Sequence, residues 1–179
     1  MQGQNNRTAL IVVDYQRDFV DGALGFPGAE NLEVPIAARI ARELEAGGDL
    51  IFTLDTHPEH YMETLEGKNL PVPHCIRGSE GHAVTDGLRG FLDRAVLVLE
   101  KPTFGSLTLG SFLRDQGYAR VELCGLVSNI CVLSNAVIAR AALPEAEIIV
   151  NVSLTASHDP AAHAAAMTVL RGIQVTVID

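Results

Sequence analysis

Apolar runs that end on a charged residue alternate along the chain with segments in which apolar residues recur every three or four positions. The first run, residues 8–14, ends on Asp14 and predicts a strand that is covered on both faces. Further strands are predicted at residues 50–55, 95–100, 121–124, 147–150 and 175–178, and the one at 95–100 is expected to be buried. Helices are predicted at residues 32–46, 108–116, 129–142 and 160–172.

Residues that typically begin or end helices flank two of the predicted helices. Gly47 and Gly48 follow the first predicted helix and are expected to end it. Asp159 and Pro160 are a typical N-cap and first-turn pair for the last predicted helix. Residues 56–92 are irregular and rich in Pro, Gly and His, and a connection of that length in a compact domain is typical of a functional loop.

Strands that alternate with helices predict the α/β class. We expect one domain, residues 1–179, with a three-layer α/β/α arrangement and a mostly parallel six-stranded sheet that has helices on both faces. Ligands bind at the carboxyl ends of the strands in such sheets. Asp14, Asp55, Lys101 and residues 125–131 all fall at or just beyond predicted strand ends. Reactive side chains that converge on one edge indicate an active site.

Charge and composition exclude several classes of partner. Thirteen Lys and Arg against 22 Asp and Glu give a net charge of -9, which repels phosphate backbones, so no nucleic-acid partner is expected. No apolar run approaches the roughly 18 residues of a membrane span, so no membrane partner is expected. The first 14 residues lack the features of a signal peptide, and a cytoplasmic location is expected. The three cysteines form no Cys-x-x-Cys pair and are expected to be free thiols.

A buried strand, a tight turn and a helix meet within residues 124–132. Ser128 or Asn129 is expected to cap the helix, which places Cys131 in its first turn. Free N–H groups and the helix dipole favour a thiolate there, and the N–H groups of the turn suit a developing oxyanion. The same spacing fits Cys131 as a small apolar residue of an amphipathic helix. Spacing alone therefore leaves both interpretations open.

Three motifs in the chain carry a family resemblance. Residues 125–132 read Gly-Leu-Val-Ser-Asn-Ile-Cys-Val, residues 14–19 read Asp-Tyr-Gln-Arg-Asp-Phe, and residues 100–106 read Glu-Lys-Pro-Thr-Phe-Gly-Ser. In this order they resemble the cysteine signature, the strand-end Asp-x-Gln-x-Asp-Phe motif and the catalytic-lysine loop of the nicotinamidase/isochorismatase-like cysteine hydrolase family. The resemblance extends from the first strand to the last and implies the isochorismatase-like hydrolase fold. In place of the signature's Thr-Asp, this chain has Ser128-Asn129.

The resemblance implies a role for each matching residue. Cys131 is the nucleophile, and Asp14 is the general base that takes its proton, protonates the leaving ammonia and activates water. Lys101 keeps Asp14 anionic and helps to orient the pair. The family also implies a cis peptide bond at Leu126-Val127, which makes the N–H groups of Val127 and Cys131 the oxyanion hole.

A metal site is implied by the same family. Asp55 and His57 form an Asp-x-His pair, and His74 follows as a distant third ligand, which leaves open positions for water or substrate. The expected ion is divalent, zinc first, with iron or manganese as alternatives. Glu66 is a candidate fourth, acidic ligand, and His60 is a weaker candidate. The other histidines are expected on the surface or in loops, namely His82, His158 and His163.

The implied function is hydrolysis of a small-molecule amide, nicotinamide first, to the carboxylic acid and ammonia through a thioester on Cys131. Phe19 matches the family's pocket phenylalanine and Phe104 is a candidate second wall, but the chain has no Trp, which nicotinamidases often stack near the substrate ring. A different family amidase, acting on carbamoyl or ureido compounds, is the first alternative. A metal-water hydrolase with a structural Cys131 is the second, and a non-catalytic binding module is the third. The family also implies a homo-oligomer.

Overall fold

A six-stranded parallel sheet runs through residues 6–179, the part of the chain that the computed structural model describes. The strands are β1 (Thr8–Val13), β2 (Asp49–Asp55), β3 (Leu97–Lys101), β4 (Arg120–Leu126), β5 (Glu147–Ala156) and β6 (Thr176–Ile178). Their order in the sheet is β3-β2-β1-β4-β5-β6, and every neighbouring pair is parallel. The α/β class and the six predicted strands are therefore confirmed. The expectation about a signal peptide rests partly on residues 1–5, which lie outside the described residues.

Helices connect the strands and cover the sheet. They are α1 (Arg17–Val20), α2 (Glu33–Glu45), α3 (Leu65–Asn69), α4 (Asp86–Arg89), α5 (Leu107–Gln116), α6 (Leu133–Ala142) and α7 (Pro160–Gly172). Short 3-10 turns lie at Ala29–Leu32, Tyr61–Glu63 and Leu92–Arg94, and a π-helical turn, Ser128–Val132, leads into α6. Within residues 6–179, none of these helices has the length and apolar character to cross a membrane.

Two apolar cores lie on opposite faces of the sheet, which confirms the predicted three layers. Strand β1 contributes to both, because Ala9, Ile11 and Val13 face one core while Leu10 and Val12 face the other. The first core is completed by α5, α6 and α7, through residues such as Leu109, Leu113, Ala136, Ala139, Met167 and Leu170. The second is completed mainly by α2, through Ile36 and Ile40. Each fully buried aliphatic side chain contributes roughly 1.5–3 kcal/mol to stability.

Residues at the helix ends explain why the helices begin and end where they do. Asp159 caps α7 by accepting hydrogen bonds from the N–H groups of Ala161 at 2.8 Å and Ala162 at 3.0 Å, which confirms the predicted cap. Ser106 caps α5 in the same way through the N–H of Leu109. Gly47 follows α2 with a φ of 79°. This left-handed conformation commonly ends a helix, and glycine adopts it without steric strain.

Three expectations about the elements differ from the structure. Strand β3 is an edge strand with alternating partial exposure, not a buried one, because it is the first strand of the sheet and has a neighbour on one side only. Strand β5 continues to Ala156, six residues beyond the predicted end at Val150. The irregular segment 56–92 contains α3 and α4, which are too short for a helical period to be recognised in the sequence.

Candidate active site

Four consecutive neighbours in the sheet bring reactive side chains to one edge. Asp14 directly follows β1, Asp55 ends β2, Lys101 ends β3, and Cys131 follows β4 after one turn. Asp55 and Lys101 are paired in register. Gly125 allows β4 to approach β1 at this edge, since a Cβ at its φ of 102° would lie 2.1 Å from the carbonyl oxygen of Val13. Parallel pairing thus gathers residues that are far apart in the chain, as the strand-end rule predicts.

Lys101 lies at the centre of the buried polar group. Its Nζ is 2.6 Å from Asp14 Oδ2, 3.4 Å from Asp55 Oδ1 and 3.6 Å from the Cys131 sulfur, and it donates to the carbonyl oxygen of Thr103 at 3.0 Å. Asp14 is held from its other side by the hydroxyl of Thr53, which donates to Oδ1 at 2.7 Å. Lysine is almost never buried without charged partners, and these carboxylates supply them.

Cys131 lies in the π-helical turn, with 3% of its surface exposed. Val127 occupies the N-cap position and no side chain caps the turn, so the expected cap by Ser128 or Asn129 is wrong. The hydroxyl of Ser128 instead pairs with Nδ1 of His163 at 2.8 Å, because it points toward α7 rather than back along the turn. The peptide bond Leu126-Val127 is cis, as expected.

Burial and neighbouring charges together set the protonation states of Cys131, Asp14 and Lys101. It raises the pKa of the Cys131 thiol well above 9, the charge of Asp14 raises it further, and Lys101 opposes both. The expectation that the helix terminus favours a resting thiolate is therefore wrong for this chain. Burial also raises the pKa of Asp14, against the influence of Lys101. Burial lowers the pKa of Lys101, but neighbouring negative charge, that of Asp14 first, outweighs burial and holds the lysine protonated.

A second group of side chains, which we call the metal-ligand cluster, adjoins Lys101 on the β2 side. One ligand atom from each of Asp55, His57, Glu66 and His74 lies within 4.8 Å of all the others. His57 Nε2 is 3.1 Å and His74 Nε2 is 3.5 Å from Asp55 Oδ2, while both imidazoles lie 3.7–3.8 Å from Glu66 Oε1. Glu66, the candidate fourth ligand, belongs to the cluster. His60 is exposed and lies outside it.

Backbone pairing explains why the two imidazoles meet. His57 accepts from the N–H of Arg77 and donates to the carbonyl of Cys75, both at 2.9 Å, which forms a short parallel bridge across the irregular segment. Asp18 anchors the same segment through the N–H of Cys75 at 2.7 Å. Nδ1 of His74 lies 2.8 Å from the carbonyl of Val72 and donates to it, so that in the neutral imidazole the Nε2 lone pair faces the cluster.

The donor set fits a divalent cation. Two imidazole nitrogens and two carboxylate oxygens are ligands that zinc accepts at about 2.0–2.2 Å, and a tetrahedron of that size separates neighbouring ligand atoms by about 3.3–3.6 Å. The separations between the imidazole nitrogens and carboxylate oxygens, 3.1–3.8 Å, span this value. The two carboxylates also repel each other, and burial together with the charge of Asp55 raises the pKa of Glu66. A cation between them would remove that repulsion.

A cavity of about 490 Å³ opens onto both groups. Its polar lining comes from Cys131, His158 and three members of the cluster, Asp55, Glu66 and His74, and its walls are largely apolar. Phe19 and Phe104 both line it, Phe19 deeply buried with its ring 5.7 Å from that of His74, and Phe104 44% exposed at the mouth. The apolar lining is completed by Ala23, Leu24, Leu70, Val127 and Ile130. This volume is typical of small-molecule sites.

Several residues that support the site escaped the sequence analysis. The side chain of Gln16 forms two hydrogen bonds with the backbone of Asp55. It accepts from the N–H at 2.7 Å and donates to the carbonyl at 2.9 Å. His158 and His82 lie outside helices and strands, as expected of surface or loop histidines, but His158 also lines the cavity. His82 is half-buried and pairs with the hydroxyl of Thr56 at 2.8 Å. The sequence contained an indication of Gln16, because it is a polar residue inside the strand-end motif, residues 14–19.

Comparison with known proteins agrees with this geometry. Residues 8–179 match the family described as the Isochorismatase domain. The uncharacterised isochorismatase family protein PncA of Bacillus subtilis (strain 168) is 31% identical in an alignment of 144 residues, and the match covers 73% of this chain and 77% of that protein. The crystal structure of nicotinamidase/pyrazinamidase PncA from Bacillus subtilis is 28% identical, with a TM-score of 0.85 over 97% of this chain and 100% of that one. The pyrazinamidase of Pyrococcus horikoshii, solved in complex with zinc, is 26% identical, with a TM-score of 0.83 over 97% and 99% of the two chains. The chain belongs to the isochorismatase domain family.

Proposed function

We propose that this chain is a cysteine amidohydrolase. It hydrolyses a small linear amide, nicotinamide first, to the carboxylic acid and ammonia through a thioester on Cys131. The observation that carries the proposal is the position of the Lys101 ammonium group, which contacts both the Asp14 carboxylate and the Cys131 sulfur in a closed environment. The similarity to nicotinamidases and pyrazinamidases supports the substrate class.

The first half-reaction forms the thioester. Asp14 takes the thiol proton of Cys131 as the sulfur attacks the amide carbon, a transfer that suits a thiol whose pKa is raised by burial. The oxyanion accepts hydrogen bonds from the N–H groups of Val127 and Cys131. Asp14 then gives its proton to the amide nitrogen, the C–N bond breaks, and ammonia leaves. Lys101 stays protonated throughout and compensates the negative charge, whether it resides on Asp14 or on the sulfur.

The second half-reaction regenerates the thiol. Asp14 takes a proton from water as the water oxygen attacks the thioester carbon. The C–S bond then breaks, the carboxylic acid leaves, and Asp14 returns the proton to the Cys131 sulfur. The sum of the two halves consumes one amide and one water and yields one acid and one ammonia. Asp14 acts as base and acid in turn, for which a pKa raised above that of an ordinary aspartate is suited.

The metal-ligand cluster and the apolar walls orient the substrate. Asp55, His57, Glu66 and His74 would hold a divalent cation, with zinc as the first choice and iron or manganese as alternatives. When bound, such a cation supplies an anchor for a substrate lone pair, for example the ring nitrogen of nicotinamide. The aromatic ring of Phe19 packs beside the cluster and is placed to contact a flat substrate.

The test follows ammonia release from nicotinamide by the zinc-loaded protein. Cys131→Ala is the test variant, and Cys124→Ala is the matched control, because Cys124 is an equally buried thiol that faces the opposite core. Hydroxylamine is added in a parallel reaction, since it converts a thioester into a hydroxamate. We expect the wild type and Cys124→Ala to release ammonia and form hydroxamate, and Cys131→Ala to do neither.

Other outcomes would change the proposal in defined ways. Equal ammonia release by the wild type and Cys131→Ala would contradict the thioester and favour water activated at the metal-ligand cluster. Release from carbamoyl or ureido compounds but not from nicotinamide would retain the mechanism and change the substrate. Release from none of a panel of small amides would contradict the proposed activity as a whole.

A further inference from the structure

Asn135 lies in α6, one turn after Cys131, and is fully buried. Its Nδ2 donates to the carbonyl oxygens of Cys131 at 2.9 Å and of Phe104 at 3.0 Å. Its Oδ1 accepts from the backbone N–H of Ser106 at 3.1 Å. Both N–H bonds and the oxygen of the side-chain amide are thus used on backbone groups. Asparagine is a poor helix former, so these contacts, rather than the helix, account for the residue type.

The three partners of Asn135 belong to the two segments that carry reacting groups. One partner is the backbone of the nucleophile itself, in the turn that leads into α6. The other two belong to the connection between β3 and α5, which follows Lys101 directly. Thr103 of the same connection accepts a hydrogen bond from the lysine Nζ. The side chain of Asn135 therefore joins the backbone that holds the lysine to the backbone that holds Cys131.

Apolar packing brings the two segments together but does not set their register. A Cβ at Gly105 would lie 2.8 Å from Cδ1 of Ile138, so the connection lies directly against α6. Apolar contacts have no preferred direction, whereas hydrogen bonds weaken steeply when they are misaligned. The hydrogen bonds of Asn135 are directional contacts between the two segments that carry Lys101 and Cys131, whose Nζ and sulfur lie 3.6 Å apart.

We propose that Asn135 is a positioning residue, which holds the lysine connection and the nucleophile turn at the separation that the reaction needs. The kinetic part of the proposal rests on the proposed function. The geometric part does not, because the reactivity of Cys131 toward an alkylating reagent depends on the nearby ammonium group and requires no substrate.

Three substitutions remove the hydrogen bonds in a graded way. Asn135→Ala removes all three. Asn135→Asp keeps the acceptor for the N–H of Ser106. Its second carboxylate oxygen replaces the amide nitrogen and faces the carbonyl oxygens of Cys131 and Phe104, to which it cannot donate. Asn135→Ser keeps a single donor, because a helical serine hydroxyl bonds to the carbonyl four residues earlier, which is that of Cys131.

The measurements are the rate of Cys131 labelling by iodoacetamide at one pH, and kcat and KM for the amide substrate. For Asn135→Ala and Asn135→Asp we expect kcat and the labelling rate to fall by about 10- to 100-fold, the effect of a displacement near 1 Å, with KM nearly unchanged. Asn135→Ser is expected to lie between these variants and the wild type. It also carries the test if the other two variants fail to fold.

Tyr118→Phe is the matched control. It removes one partly buried hydrogen bond, from Tyr118 Oη to Asp49 Oδ2 at 2.7 Å, at the edge of the sheet where the strands begin. At equal thermal stability, we expect this control to keep the wild-type labelling rate and kcat. Folded Asn135 variants that label at the wild-type rate or faster would overturn the inference. A wild type without amidase activity, combined with slower labelling in the variants, would overturn only the proposed function and support the positioning role.

Discussion

The carboxylate of Asp14 and the ammonium group of Lys101 lie 2.6 Å apart, and neither side chain is exposed to solvent. Removal of two charges from water costs several kcal/mol for each ion, so a buried pair is seldom the most stable choice for a core. Each charge is tolerated here because the other is present. An arrangement that costs stability and adjoins a cavity with a thiol is typical of a functional site.

Lys101→Met is expected to abolish amide hydrolysis and to lower the free energy of unfolding by about 3–5 kcal/mol, because it leaves the Asp14 carboxylate buried without a partner. The double variant Asp14→Asn/Lys101→Met is expected to regain most of that stability but no activity. Urea denaturation and ammonia release measure the two effects. A Lys101→Met protein with wild-type stability would contradict the assignment of a buried charge pair.

The pH dependence of Cys131 labelling is expected to report its neighbours. Because burial and the charge of Asp14 raise the pKa of the thiol, labelling by iodoacetamide is expected to have its midpoint above pH 9. Asp14→Asn removes a raising influence and moves the midpoint down. Lys101→Met removes a lowering influence and moves it up. Mass spectrometry of the labelled Cys131 peptide across pH measures this, and shifts in the same direction for both variants would refute the electrostatic explanation.

Metal binding is expected to depend on His74 and not on His60. The wild type and His60→Ala should each retain about one zinc per chain after dialysis, whereas His74→Ala should retain much less because it removes one of four ligands. Zinc at 100 times its Kd is expected to stabilise the wild type by about 2.7 kcal/mol. Elemental analysis and thermal unfolding test this, and equal zinc contents in the two variants would show that the ion binds elsewhere.

The two phenylalanines of the cavity are expected to respond differently to truncation. Phe19 is 6% exposed, so Phe19→Ala is expected to cost about 3–5 kcal/mol of stability. Phe104 is 44% exposed, and Phe104→Ala is expected to cost little stability but to raise KM for aromatic amides with kcat nearly unchanged. Denaturation curves and steady-state kinetics separate the two effects. A loss of kcat in Phe104→Ala would show that its ring acts on the transition state.

Sequence reasoning could predict the groups that lie at strand ends, because the geometry of a parallel sheet is regular. Asp14, Asp55 and Lys101 lie together for this reason. The state of Cys131 was not predictable in the same way, since its pKa depends on burial by the whole fold rather than on its place in a helix. The apolar run of β3 resembles that of a central strand, and only the strand order shows that it lies at an edge.

Residues in irregular segments were harder to assign. Glu66 reaches the metal-ligand cluster because α3 and the bridge between His57 and Ile76 fold the long segment back on itself, and no periodic pattern encodes that path. One weak indication of Asn135 is present in the sequence, because it is an amide residue in the middle of a helical pattern. Its partners are backbone groups, which carry no sequence signature.

The order of strands in the sheet differs from their order in the chain, so that β1 receives its two neighbours, β2 and β4, at different stages of synthesis. A nascent chain that ends before β4 already contains the segments for Asp14, Asp55 and Lys101, but it lacks Cys131. Strand β4 must then dock on the free side of β1, opposite β2, before Cys131 reaches the lysine. On the proposed mechanism, a chain that ends before β4 therefore has no nucleophile, and we expect it to release no ammonia from an amide.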